Sequence, residues 1–409
     1  TGPDETGLKP TQSTVMKLPS LSVVIHLPNP ATPKLGNPVK LSMPIKGYSP
    51  QLALESTPST DNPFILRDPA QRARVLERLG GTKESEAVVS SALDWFSRNQ
   101  EPDGRWSINK HGGQQHHDIA ATSFALLCYY GWGAKHTEDG DYRETVEKGL
   151  KWLIAQTKPN GDLTNNNQNN GMYDQGVATL ALAEAYGLTK DPMVREPLEK
   201  AVDFVIKAQN QSHGAWDYRP GSNRKDSSVS GWQLMALSSA RLAGIQIPDR
   251  PFDLASVWLD KVTNSPHKGI YGYQGPGGNN AAMTALGMFS QQLLGKYKAD
   301  NPRMLESSKF ILKHLPSMRK NNDYYYCYYG CLSMYMNQGE PWETWNPVMR
   351  QTLVSGQIKS GKDKGSWDYK GGRHSGKMGR VITTAMATLS LEVYYRYLPS
   401  VKIGAANVP

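Results

Sequence analysis

Residues 200–244 decide the fold, because they contain three pieces of different character in succession. The first, KAVDFVIKAQ, ends at Gln209 and has the apolar spacing of an amphipathic helix. NQSHGAW follows and places Gly214 and Trp216 in a turn, and DSSVSGWQLMALSSARLAG then begins at Asp226 and is apolar on most of its circumference. A helix that is apolar nearly all round lies in an interior. The stretch therefore predicts an outer helix, a turn and an inner helix.

This arrangement recurs six times with a period of about 50 residues, which is typical of a repeat architecture. The inner helices are predicted to begin near Asp118, Asp174, Asp226, Asn280, Asp323 and Arg380. We predict an all-α fold, an (α/α)6 toroid of two concentric rings over residues 70–400, since closure buries the ends that an open solenoid has to cap. Residues 1–69 are rich in Pro, Ser and Thr and predict an extended arm or linker. Residues 401–409 form a C-terminal tail.

Composition limits the possible partners and the compartment. With 46 Lys and Arg against 37 Asp and Glu the chain is basic, but no basic run is dense enough for specific nucleic-acid binding. Its three cysteines lie in apolar stretches and predict no disulfide framework. No apolar run is long enough for a transmembrane segment. We expect an exported protein whose signal or anchor has been removed, with an arm that binds a partner protein or a second copy of the chain.

A recurring set of Gln, Gly and Trp marks the turn between the two helices of a hairpin. It appears as Gln100…Gly104-Arg105-Trp106, as Gln209…Gly214-Ala215-Trp216 and as Gln357…Gly365-Ser366-Trp367. We expect the Gln to bond free helix carbonyls, the Trp to pack beneath it and the Gly to supply a positive φ. This pattern resembles the glutamine–tryptophan repeat of the squalene cyclase and protein prenyltransferase superfamily. Among its members the chain is most similar to the exported repeat proteins of planctomycete-type bacteria, which have no established activity, so the resemblance implies the toroid rather than a reaction.

The catalytic motifs of that superfamily do not occur in this sequence. Its cyclases carry Asp-x-Asp-Asp, whereas His117-Asp118-Ile119-Ala120 offers a single carboxylate. Its prenyltransferases bind zinc with an Asp, a Cys two residues later and a distant His, whereas Asp323 and Cys327 have the wrong spacing. We therefore expect no metal site and no cofactor, and whether the protein is an enzyme stays open.

In a closed ring all inner helices begin at the same end, so the loops before them converge on one mouth, and such a pocket is the default ligand site. The candidate catalytic residues are Asp118, Asp226, Asp323, Tyr325 and Arg380, and the candidate ligand-binding residues are His117, Tyr173, Asp174, Trp232, Tyr271, Tyr273, Asn280 and Tyr328. Asp and Asn at helix starts are also strong N-caps, which is the structural alternative for each of them.

Two functions follow from this arrangement. The first is a binding or assembly component that holds an unknown small molecule, lipid or glycan at the rim. The alternative is a carbohydrate-active enzyme, similar to a lyase or hydrolase, or an isoprenoid-active enzyme, which uses the central cavity. Other double rings of helices are lyases and hydrolases, but that is an analogy of fold. Carboxylates that all cap their own helices around a plugged centre favour the first function, and an open cavity favours the second.

Overall fold

The computed structural model describes residues 63–396, except for positions 115, 168, 279, 318–322 and 371–374. The predictions for the N-terminal arm before residue 63 and for the tail at 401–409 lie outside this part. The α-helices are α1 (Pro69–Val75), α2 (Lys83–Arg98), α3 (Asp118–Trp132), α4 (Arg143–Gln156), α5 (Met172–Thr189), α6 (Pro192–Ala208), α7 (Ser227–Leu242), α8 (Arg250–Lys261), α9 (Ala281–Leu293), α10 (Pro302–Leu312), α11 (Tyr324–Asn337), α12 (Gly339–Gly356), α13 (Ser375–Leu391) and α14 (Val393–Arg396). None of the helices in the described ranges has both the length and the apolar character of a membrane span.

The odd-numbered helices from α3 to α13 form the inner ring. Each contacts the next in order, and α13 contacts α3, so that the ring is closed. The even-numbered helices from α2 to α12 pack on the outside, each against inner helices of its own or a neighbouring hairpin. The prediction of an all-α double ring of six hairpins is confirmed.

Burial separates the two rings in the way the apolar patterns predict. The inner helix α5 buries almost every residue, including the polar Gln175 and Glu184. The outer helix α6 buries one stripe at helical spacing, for example Val194, Leu198 and Val205, and exposes the rest. Neighbouring helices therefore bury α5 along most of its length, whereas one side of α6 faces solvent.

The Gln, Gly and Trp of the turns join neighbouring hairpins. Gln209 Nε2 donates to the carbonyl of Gly214 in its own turn and to that of Pro251 in the next outer helix, both at 2.9 Å. The indole of Trp216 donates to the carbonyl of Val205 at 2.7 Å. The indole bond satisfies a carbonyl in the last turn of α6, and the two bonds of Gln209 attach this turn to the next hairpin.

The same bonds close the ring. Gln357 Nε2 donates to the carbonyl of Gly365 at 2.9 Å and to that of Val88, in the first outer helix, at 2.7 Å. The sixth hairpin is thus attached to the first as the third is to the fourth.

The glycine of the turn is required by both conformation and space. Gly214 has φ +84, and a Cβ atom there would lie 1.9 Å from the carbonyl oxygen of Leu254 in the next outer helix. A side chain would therefore push two adjacent hairpins apart.

A buried ion cluster lies at the end of the ring where the inner helices finish. Arg67 and Arg396 each donate to Glu184 at 2.7 Å, and all three side chains are at most 2% exposed. Burial alone would raise the pKa of Glu184, but the two arginines outweigh it and lower that pKa. The segment Ile65–Arg67 and helix α14 provide the two arginines and cover this end of the ring.

Candidate functional site

A cavity of about 990 Å³ lies at the opposite end, where the inner helices begin. Residues from all six inner helices, or from the loops that precede them, line it. The volume is at the upper end of the range of about 300–1,000 Å³ that ligand sites usually have.

The cavity wall changes in character with depth. Polar side chains lie near the helix starts, among them His117, Asn170, Ser228, Asn280 and Asp323. One to two turns further along the same ring of helices the lining side chains are Phe124, Val177, Trp232, Ile382 and Met386. At 1.5 Å of rise per residue, Phe124, Val177 and Trp232 lie about 7–9 Å below the starts of α3, α5 and α7. The polar groups of the cavity therefore lie at its rim, together with apolar side chains such as Met283 and Leu315, and its floor is apolar.

A histidine and a carboxylate form the most distinct group at the rim. Asp174 is fully buried in the first turn of α5, where one oxygen accepts from the amide of Ala120 at 2.8 Å and the other contacts Nδ1 of His117. Burial alone would lower the pKa of His117, but the hydrogen bond and the charge of Asp174 outweigh it and raise that pKa. The pair therefore holds a proton at the wall of the cavity in a fixed position.

A second network joins the rim to a buried acid. Asp226 caps α7 by accepting from the amide of Val229 at 3.0 Å, and it also accepts from the hydroxyl of Ser228 at 2.5 Å. Ser228 in turn bonds the hydroxyl of Tyr173 at 2.5 Å. Tyr273 bonds Asp226 as well, and burial raises the pKa of this carboxyl despite these bonds. The chain Tyr173–Ser228–Asp226 connects a cavity hydroxyl to an acid one layer behind the wall.

The structure brings seven of the predicted site residues together at the cavity. They are His117, Tyr173, Trp232, Tyr273, Asn280, Asp323 and Tyr325. Asn280 and Asp323 also cap their helices, by accepting from Met283 and Tyr326 amides at 3.1 and 3.0 Å. Asp174 and Asp226 lie directly behind the wall, each in contact with a lining residue.

Four predicted residues lie away from the cavity. Asp118 accepts from the amide of Ile108 at 2.8 Å and pairs with Arg105. Arg380 follows Gly379, whose φ of +66 interrupts the helix, and it donates to the carbonyl of Trp367 at 3.0 Å.

The other two are core residues. The ring of Tyr271 packs on Gly287 between the outer and inner helices, and it is 1% exposed. Tyr328 lies under Trp232, with the two rings stacked at 5.7 Å and 11°. Neither lines the cavity.

Several residues that line the cavity were not among the predicted ones, and one of them could have been recognised from its position in the repeat. Tyr218 lies two residues after the turn aromatic Trp216, as Tyr273 lies two residues after Tyr271, and the hydroxyls of Tyr218 and Tyr273 contact each other. An aromatic residue at this offset therefore points to the rim. Ser228, Lys377 and Met386 lie in stretches without a comparable mark. Within the described residues no group of three or more His, Cys, Asp or Glu is placed to hold a metal ion.

Comparison with known proteins supports the fold. No protein-family model matches the chain, and the search of curated proteins found no significant match. Among solved structures, unsaturated glucuronyl hydrolase from Streptococcus agalactiae is similar with a TM-score of 0.56 and 12% identity, covering 76% of this chain and 92% of that one. An inactive variant of the α-1,6-mannanase of Salegentibacter sp., in complex with α-1,6-mannotetrose, has a TM-score of 0.55 at 12% identity, over 77% of this chain and 99% of that one.

Cellobiose 2-epimerase from Spirochaeta thermophila is also similar, with a TM-score of 0.51 and 12% identity over 81% of this chain and 99% of that one. At such low identity the likeness shows the fold, an α/α toroid. The expectation of a binding or assembly component is corrected by this comparison, because these neighbours are carbohydrate-active enzymes and favour the alternative reading. The centre of the ring is also an open cavity rather than a plug.

Proposed function

We propose that the protein is a carbohydrate-active enzyme, with the character of a lyase or hydrolase, that binds a glycan in the central cavity. The observation that carries the proposal is the His117–Asp174 pair at the rim of an aromatic-lined cavity. Amides, hydroxyls and aromatic faces at one rim are the groups that recognise sugars, since they match hydroxyls and ring faces at once. The glycans named for structures of the same fold support this substrate class.

His117 would carry the proton in this reaction. Because Asp174 raises the pKa of His117, the imidazole is suited to act as the acid that protonates the oxygen leaving the sugar carbon, where water takes its place in hydrolysis. Asp174 would act as the positioning residue, since its second oxygen is held by the amide of Ala120. Tyr173, bonded through Ser228 to Asp226, is the second group able to exchange a proton with the ligand.

Export of the protein, and kinship with the exported repeat proteins that the glutamine–tryptophan pattern resembles, are part of the same proposal. They are supported by the Pro-, Ser- and Thr-rich composition before residue 63 and by the repeated Gln, Gly and Trp. A glycan substrate is available outside the cell, so the compartment and the substrate class agree.

The test is turnover of a panel of neutral and uronic-acid oligosaccharides, followed by new reducing ends, by the absorbance of unsaturated uronates and by proton NMR. His117→Gln should lower turnover by about 100-fold or more, the usual contribution of a positioned acid. The chain offers a matched control, since His136 pairs with Asp191 at 2.8 Å outside the cavity lining. His136→Gln should leave turnover unchanged.

Equal losses in the two variants would contradict the role of His117. The absence of turnover with every member of the panel would overturn the proposed function.

A further inference from the structure

We propose that the substrate is a sugar that carries an apolar group, and that this group occupies the floor of the cavity while the sugar stays at the rim. The inference rests on the proposed function and names its substrate class, that is, a glycoside of an alkyl, acyl or isoprenoid chain. It follows from the division of the cavity wall into a polar rim and an apolar floor.

The floor offers a sugar little to bond. Phe124, Val177, Ile382 and Met386 carry hydrocarbon or thioether side chains. The fifth floor residue, Trp232, is held by stacking on Tyr328 at 5.7 Å and presents an aromatic surface. A sugar hydroxyl moved down to these groups would lose its water partners with few protein partners to replace them.

An apolar chain gains from the same surroundings. Each methylene that leaves water for an apolar pocket adds about 0.8 kcal/mol, which is roughly a fourfold increase in the binding constant. Phe124, Val177 and Trp232 lie about 7–9 Å below the helix starts, which leaves room for several carbon atoms below one sugar. The volume of about 990 Å³ exceeds the need of a single sugar ring.

The sugar would then lie where the polar groups are. His117 and Tyr173 are one turn or more above Phe124 and Val177 on the same helices or just before them. With the chain anchored at the floor, the bond between sugar and chain lies close to the level of the His117–Asp174 pair. The floor therefore positions the bond that the rim would cleave.

The experiment is a calorimetric titration of the whole protein with methyl and octyl glycosides of glucose, mannose and glucuronic acid, below the micelle concentration of each octyl compound. The octyl glycoside of the bound sugar should bind about 100-fold or more tightly than the methyl glycoside, the effect of three to four buried methylenes. Octanol alone should bind more weakly than the octyl glycoside, because it lacks the contacts of the rim.

Two variants locate the chain. Val177→Phe adds a ring at the floor and should reduce the advantage of the octyl glycoside to less than about tenfold, with the methyl glycoside unaffected. Val257→Phe adds the same ring on an outer helix at a position that is 45% exposed, and it should change neither affinity. Ile382→Thr, which makes the floor polar without filling it, replaces Val177→Phe if that variant does not fold.

Equal affinities for methyl and octyl glycosides, or equal effects of the two phenylalanine variants, would overturn the inference. Turnover of methyl glycosides or plain oligosaccharides with no advantage for an octyl chain would do the same and leave the proposed function intact. Tight binding of octanol, equal to that of the octyl glycoside and without turnover of any sugar, would contradict both.

Discussion

The closing junction of the ring can be tested by replacing Gln357 with Ala. In a closed ring this side chain joins the last hairpin to the first, through bonds of 2.7 and 2.9 Å to the carbonyls of Val88 and Gly365. Gln357 is 5% exposed, so its removal leaves the carbonyl of Gly365 without its side-chain donor and takes one bond from the carbonyl of Val88, which keeps its bond within helix α2. About 1–3 kcal/mol for the first carbonyl and about 1 kcal/mol for the bond to Val88 give an expected loss of about 2–4 kcal/mol in the free energy of unfolding.

The assay is chemical and thermal unfolding followed by circular dichroism. With an unfolding entropy of about 2.1 cal/mol/K per residue, a domain of this size should lose roughly 3–6 °C in melting temperature. Gln209→Ala is the matched control, because Gln209 is 3% exposed and makes the same two kinds of bond inside the ring.

The two variants should cost the same within about 1 kcal/mol. If Gln209→Ala destabilises and Gln357→Ala does not, Val88 and Gln357 do not meet in solution. The chain would then be an open superhelix, and the convergence of the six helix starts on one cavity would lose its basis.

Three further predictions test the turn, the ion cluster and the rim. An alanine in a left-handed backbone conformation costs roughly 1–2 kcal/mol in the free energy of unfolding. Gly221→Ala should cost only that amount in urea unfolding, because φ is +66 there but the added Cβ atom would have no neighbour within 4 Å. Gly214→Ala should cost well over that amount, because its added Cβ atom would also meet a backbone carbonyl. Glu184→Gln should cost about 3–5 kcal/mol in the free energy of unfolding at neutral pH. The difference from the wild type should shrink below about pH 4, because the folded-state pKa of Glu184 is lowered and its stabilisation is lost as the pH falls through that value. A difference that stays constant with pH would contradict the pairing with the two arginines. His117→Gln should cost more stability near pH 6 than near pH 9. The raised pKa of His117 stabilises the folded state, and this stabilisation is lost as the pH rises through the folded-state pKa of His117. Equal costs at the two pH values would refute the pair with Asp174.

Local chemistry predicted the repeats and part of the rim. The polar residues that begin α7, α9 and α11 cap their helices as their residue types predict, and those of α9 and α11 also line the cavity. The apolar periods of α5 and α6 placed one helix inside and the other outside. These features depend on neighbours in sequence, so that a pattern of a few residues contains them.

The site residues whose roles were predicted wrongly are those that contact distant segments of the chain. Arg380 aligns with the other helix starts, but Gly379 turns the backbone and directs the guanidinium to Trp367. Asp174 aligns with the caps as well, yet its oxygens bond Ala120 and His117 of the preceding hairpin. No pattern within one repeat reports such a partner, because it depends on how two hairpins are rotated against each other.

Capping by the predicted carboxylate fails at the starts of α3 and α5, and the chemistry is proposed at the second of these two positions. A carboxylate that caps its own helix has its charge spread over first-turn amides and is bound to one backbone. Asp226 and Asp323 remain in that role, whereas Asp174 bonds an amide of α3 and a histidine of the preceding hairpin. The repeat thus supplies a carboxylate at the start of four inner helices, and the partners of each carboxylate decide whether it caps its own helix or holds a proton at the rim. The ring can therefore acquire a reactive group at one of these positions while the caps at the others preserve the fold.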